Sequence, residues 1–91
     1  MRIDKFLKTS RLIKRRTLAH EACKRDRVKI NGKAAKPGST VKVGDIIKIQ
    51  FGSSTTQIKV VSVAEHVSKK ESAEMYVILE NRAQKTENEE Y

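Results

Sequence analysis

The stretch "RDRVKINGKAAKPGSTVKVGDIIKIQF", Arg25 to Phe51, decides the fold. Val28 and Ile30 alternate with Lys29, the period of a half-buried strand, and Asn31-Gly32 follows at once. An Asn-Gly pair tolerates positive φ at both central positions of a two-residue turn, so the chain should reverse there into a hairpin. Pro37-Gly38 and Gly44-Asp45 mark further turns. Ile47, Ile49 and Phe51 then alternate with Lys48 and Gln50, which predicts a strand buried on one face and wet on the other.

On the C-terminal side, "TQIKVVSV", Thr56 to Val63, predicts another strand, antiparallel to the preceding one across "GSST". Ser68 and Glu71 have the spacing of a capping box and predict a short helix from Ser68. "YVILE" predicts a last short strand, while "NRAQKTENEEY" has no apolar period and predicts disorder.

On the N-terminal side, Ile3, Phe6 and Leu7 stand at i, i+3, i+4 and predict a short helix. Arg2, Asp4 and Lys5 are expected to turn away from the core. Thr9 and Ser10 interrupt that helix and could cap the next one. A second helix is expected from about Lys14 to Arg25, with Leu18 and Ala22 as its apolar stripe, flanked by Ala19 and Cys23. The expected fold is α+β, two N-terminal helices packed on a small antiparallel sheet. Residues 1–64 should form the domain and its sheet, 65–80 a helix/strand addition, and 81–91 a disordered acidic tail.

Ninety-one residues hold 20 Lys and Arg against 11 Asp and Glu, a formal net charge of +9. The charge is uneven. Residues 1–50 carry 15 cations and 4 acids, residues 51–91 carry 5 and 7. Such a chain favours an anionic partner over a neutral metabolite. Arg11, Lys14, Arg15 and Arg16 crowd the start of the second helix, where the dipole disfavours cations. A basic run is often only a solvated face. Here, though, the free N–H groups of a first helical turn would share the cluster with a phosphate, which makes the placement favourable once the ligand is bound. Arg2 and Lys5 precede the cluster, and Arg16, His20, Lys24 and Arg27 share a helical face. Lys33 and Lys36 add charge near the hairpin tip.

Other chemistries find little support. Cys23 is the only cysteine, so neither an internal disulfide nor a thiol pair for zinc is expected. The chain has no Trp, and Phe6 and Phe51 lie on apolar faces, so base-stacking recognition of single strands is not expected. His20 and His66 have no nucleophile in a recognisable arrangement, and no Gly-rich phosphate loop occurs. The reading is of a binding protein rather than an enzyme, with no metal or cofactor. No signal-like or membrane-spanning run occurs, so a cytoplasmic monomer is expected.

Arg2-Ile3-Asp4, the Arg15-Arg16 pair, Val28 to Lys33 and Gly44-Asp45 fall in the order of the S4 RNA-binding domain, which residues 2–50 resemble. With "DKFLK", "SRLIKRRTLA" and the later Met75 to Leu79, the chain more narrowly resembles the RqcP family, small free-standing S4 proteins of bacterial ribosome-associated quality control. That resemblance implies binding to large ribosomal subunits obstructed by peptidyl-tRNA. It implies contact with large-subunit rRNA and the P-site tRNA and, with RqcH, support of non-templated alanine tailing. RNA contact is carried by resemblance onto Arg2, Asp4, Arg11, Lys14, Arg15 and Arg16, with Asp4 orienting a neighbouring arginine or accepting from a ribose or base. Many S4 domains have Gly where Asp26 stands, which implies a left-handed backbone there. The heat-shock-type S4 proteins that bind free large subunits share the first half, but normally have a longer basic C-terminal extension, and they are the alternative. The RNA-binding appendage of a modifying enzyme and a DNA-binding regulator fit less well.

Overall fold

The computed structural model describes residues 1–83. Helices α1 (Ile3–Thr9) and α2 (Arg16–Lys24) precede strands β1 (Val28–Ile30), β2 (Lys33–Ala34), β3 (Ile46–Phe51) and β4 (Ser54–Val60). Helix α3 (Lys69–Ser72) and strand β5 (Tyr76–Ala83) follow. The strands form one antiparallel sheet in the order β2-β1-β3-β4-β5. Ile3, Phe6 and Leu7 of α1, Ala19, Ala22 and Cys23 of α2, and the inward residues Val28, Ile47, Ile49, Ile58 and Val60 share one core. Phe6 is fully buried; Phe51 packs against the core only in part.

The Asn31-Gly32 turn is as the sequence requires, with φ of 51° and 85° and Ile30 opposite Lys33. Asn31 also does something its turn propensity does not foretell. Its amide nitrogen donates to Asp45 Oδ1 at 3.1 Å, and its side-chain oxygen accepts the Ile46 N–H at 2.9 Å. Asp45 Oδ2 in turn accepts the Lys42 N–H at 2.9 Å. The two turn motifs of the opening stretch are therefore bonded to each other, and this fixes where β3 enters the sheet.

Pro37-Gly38 fastens α1. The Ile3 N–H donates to the Ser39 carbonyl at 2.8 Å and the Asp4 N–H to the Pro37 carbonyl at 3.3 Å, while Arg2 bridges to Thr40. Two donors that a helix start leaves unpaired are thereby satisfied. At the end of α2, Asp26 has φ 59°, its N–H reaches the Cys23 carbonyl, and the Arg27 N–H reaches the Ala22 carbonyl. This is a Schellman ending with Asp in the position that usually takes Gly.

Several expectations need correction. Helix α2 starts at Arg16 rather than Lys14, and its N-cap is Arg15 without a side-chain cap bond. Ser10 does not cap it, because its hydroxyl donates back to the Leu7 carbonyl. The buried residues of α2 are Ala19, Ala22 and Cys23, with Leu18 only partly covered. Small side chains face α1, an arrangement that permits close approach of the two backbones. Strand β4 begins at Ser54 and ends at Val60, because Gly52-Ser53 alone makes the turn. The capping box at Ser68 and Glu71 forms as expected, and the Ser68 N–H bond holds the Glu71 carboxyl below its usual range. Strand β5 pairs with β4 through Ala83, so the expected tail boundary at 81 moves outward; the remaining tail lies outside the described residues.

Asn31→Ala forces an alanine into positive φ and removes two hydrogen bonds. It should cost about 2–3 kcal/mol in urea unfolding, and a loss under about 0.5 kcal/mol would contradict the turn-to-turn link. Cys23 makes a second prediction. Burial, and secondarily the Asp4 charge, push its thiol up to about 11 from 9.0. The folded state therefore holds the proton longer than the unfolded chain. The thiol's contribution is complete below pH 9 and is lost as pH rises toward 11. Cys23→Ala should flatten that part of the stability–pH curve, and an unchanged slope would refute a buried neutral thiol.

Candidate nucleic-acid interface

Asp4 was expected to face water, yet it is 2 % exposed. The helical period explains the expectation but not the outcome, since the cover comes from elsewhere in the chain. Arg2, extended before α1, donates from Nη2 to Asp4 Oδ2 at 3.1 Å. Arg16, in the first turn of α2, donates from Nη2 to Asp4 Oδ1 at 3.4 Å. His20 Nδ1 lies 3.7 Å from Oδ2, one turn further along the same helix. Burying an unpaired carboxylate costs several kcal/mol, and the two arginines offset that cost.

The same arrangement exposes donors. The Arg2, Arg16 and His20 side chains are each about half exposed, whereas that of Asp4 is 3 % exposed. A guanidinium has five N–H groups and Asp4 takes one from each arginine, so the remaining donors are held in place for another acceptor. They border an open hollow of about 460 Å³, completed by Thr17 and Glu21. Gly38 lies under the Arg2 guanidinium, where an added Cβ would stand 4.0 Å from it.

The sequence-derived site divides into groups. Arg2, Asp4, Arg16 and His20 come together at the hollow. Lys14 and Arg15 are exposed just before α2, and Arg11 is exposed in the turn between the helices with φ 62°. Left-handed backbone is costly for an arginine, and here it ends α1 while turning the side chain outward. Lys5 is tied to Glu65, whose carboxyl the bond holds below its usual range, so Lys5 serves a tertiary contact. Lys33 lies on the outer strand β2, and Lys36 borders a separate hollow with Cys23 and Lys24; neither lines the Asp4 hollow. Sequence reasoning missed Thr17, Glu21 and Gly38. Thr17 and Glu21, spaced four apart beside Arg16 and His20, could have been found from the α2 wheel; Gly38 had no local signal.

No helix among the described residues is long and apolar enough to cross a membrane. Comparison with known proteins agrees with the geometry. The S4 domain family model matches residues 1–47. An RQC P-site tRNA stabilizing factor from Halalkalibacterium halodurans is 49% identical over 78 residues, covering 86% of this chain and 89% of that one. The factor of the same name from Bacillus subtilis is 49% identical over 79 residues, covering 87% and 92%. Among solved structures, Vibrio cholerae heat shock protein 15, described as trimeric, superposes with a TM-score of 0.79. It is 28% identical, and the match covers 86% of this chain and 80% of that one. The buried acid with its two arginines thus lies within the matched segment, and the chain belongs to the S4 domain family, among the relatives of the RQC P-site tRNA stabilizing factors.

Proposed function

We propose that the chain is an RNA-binding factor of ribosome-associated quality control. It binds large ribosomal subunits obstructed by peptidyl-tRNA, contacts large-subunit rRNA and the P-site tRNA, and with RqcH supports alanine tailing of the stalled chain. The observation that carries this reading is Asp4, a buried carboxylate that fixes Arg2 and Arg16 at the rim of one open hollow. The names of the relatives supply the ligand class. Forked donors held at fixed positions suit phosphate oxygens, and the first-turn N–H groups of α2, which its N-cap side chain leaves uncapped, are further donors beside them.

The role is one of holding. A factor that stabilises a tRNA needs no group that moves protons or forms bonds, because peptidyl transfer belongs to the ribosome. Arg2, Arg16 and His20 would grip backbone, and Lys14, Arg15 and Arg11 would extend the grip along the second helix's leading edge. Recognition then depends on the shape and charge of folded RNA. The chain acts as a monomer at the ribosome in the cytoplasm. A second reading, association with free large subunits, is favoured by the fold shared with heat shock protein 15. Sedimentation separates the two: recovery of subunits still carrying peptidyl-tRNA supports the first, recovery of empty subunits the second.

Arg2→Ala and Arg16→Ala should each weaken association with tRNA-bearing subunits about tenfold or more, and each should also lower the urea midpoint, since the other arginine is then left to compensate the buried Asp4 carboxylate. Asp4→Asn is more discriminating, since it raises the net positive charge yet loosens both arginines. Weaker binding is expected, and equal or tighter binding would mean that bulk charge alone holds the RNA. With about five phosphates engaged, the affinity of the unmodified chain should fall with salt at a log–log slope of roughly −3.5 to −4.5. A slope near zero would exclude a backbone-dominated contact.

A further inference from the structure

The sheet has a face that the helices leave bare, and positive charge is concentrated there too. The alternation that turns Val28, Ile47 and Ile49 into the core turns Lys29 and Lys48 outward. The register sets these two lysines directly opposite each other. The Gln50 N–H donates to the Arg27 carbonyl at 2.8 Å and the Asn31 N–H to the Ile46 carbonyl at 2.7 Å. By the alternation of an antiparallel ladder, Lys29 and Lys48 are then a hydrogen-bonded pair with Cα atoms about 5.5 Å apart. Like charges so placed are destabilising. Lys59 is also exposed on this face, and its backbone partner Ile46 is two residues from Lys48.

Around the lysine pair lies a hollow of about 180 Å³, lined by Asp26, Arg27, Lys29, Lys48, Gln50 and Thr55. Three cations, an amide and a hydroxyl provide donors, against one carboxylate. No lining residue is aromatic or aliphatic, so the surface suits backbone oxygens rather than base faces or a greasy partner. Asp26 is set at this rim by the left-handed ending of α2, and Glu80 closes the far end of the row from Lys29 through Lys48 and Gln57. The acids therefore border the lysine pair instead of separating its members.

We propose that this sheet face is a second RNA-backbone site, engaging phosphates of an RNA segment distinct from the one gripped at the Asp4 hollow. Charge complementarity carries the assignment. A phosphate shared by Lys29 and Lys48 removes a repulsion that the register otherwise imposes. The inference rests on the reading above in taking RNA as the ligand, and adds that the outer sheet face, away from the Asp4 hollow, is the surface that meets a second RNA segment.

The test uses the full chain and two ligands, a blunt RNA duplex of about 16 base pairs and large subunits carrying peptidyl-tRNA. Lys29→Gln combined with Lys48→Gln should leave the fold intact, with a urea midpoint equal to or above that of the unmodified chain. Loss of the one shared phosphate contact should make the salt slope shallower by about 1, so the affinity lost between 50 and 200 mM salt should shrink by roughly fourfold. Unaltered slopes on both ligands would overturn the proposal and leave the lysines as a solvated face, or as a site for an acidic protein. Arg2→Ala combined with Arg16→Ala and with Asp4→Asn, which removes the buried charge those arginines would leave unpaired, separates the two claims once its urea unfolding shows a folded chain. If that variant binds normally while the lysine variant does not, the sheet site stands and the helix-side reading falls.

Discussion

A carboxylate withdrawn from water must be met by donors, and Asp4 is met from two elements: Arg2 before α1 and Arg16 on α2, with His20 beside them. That requirement adds to their apolar contact in setting the relative position of the two helices. Loss of one partner would leave buried charge undercompensated, so the site and the helix pair are stabilised together. The exposed halves of the same side chains are then available to a ligand at no further ordering cost. In Arg2 and Arg16, what holds the fold also positions the donors of the proposed binding surface.

The sheet serves this arrangement from behind. Bonds between the Asn31 and Asp45 turns fix the entry of β3, and the Pro37-Gly38 turn pairs with the first N–H groups of α1. Arg2 is therefore held by backbone on one side and by Asp4 on the other. The small residues Ala19 and Ala22 face the core next to Arg16 and His20 on the helix. A bulkier pair would push α2 outward and lengthen the contacts to Asp4. Of the candidate contact residues, Arg16 and His20 thus sit on α2 and Arg2 on a braced segment, while Arg11, Lys14 and Arg15 lie in the connection between the helices.

Much of the fold was legible because its signals are local. Asn31-Gly32 needs two positive φ values, Ser68 and Glu71 complete a capping box within one turn, and Ile47 to Phe51 state their period directly. Arg16 stood out with Arg11, Lys14 and Arg15 as a cation at an unfavourable helix end, and Arg2 and His20 extended that cluster. The burial of Asp4 was not legible, because a helical wheel registers only α1 and the cover arrives from α2. The pairing of Lys5 with Glu65 was not legible for the same reason, since Glu65 is sixty residues away in sequence. The opposed pair of Lys29 and Lys48 required a register, which turn positions alone leave open by a residue.

The most direct test of the central claim is a density map of the chain bound to a large subunit carrying peptidyl-tRNA. The account predicts RNA phosphate oxygens within about 3 Å of the outward nitrogens of Arg2 and Arg16, with Asp4 still bonded to both arginines. A map in which that hollow faces bulk solvent while another surface is docked would contradict it.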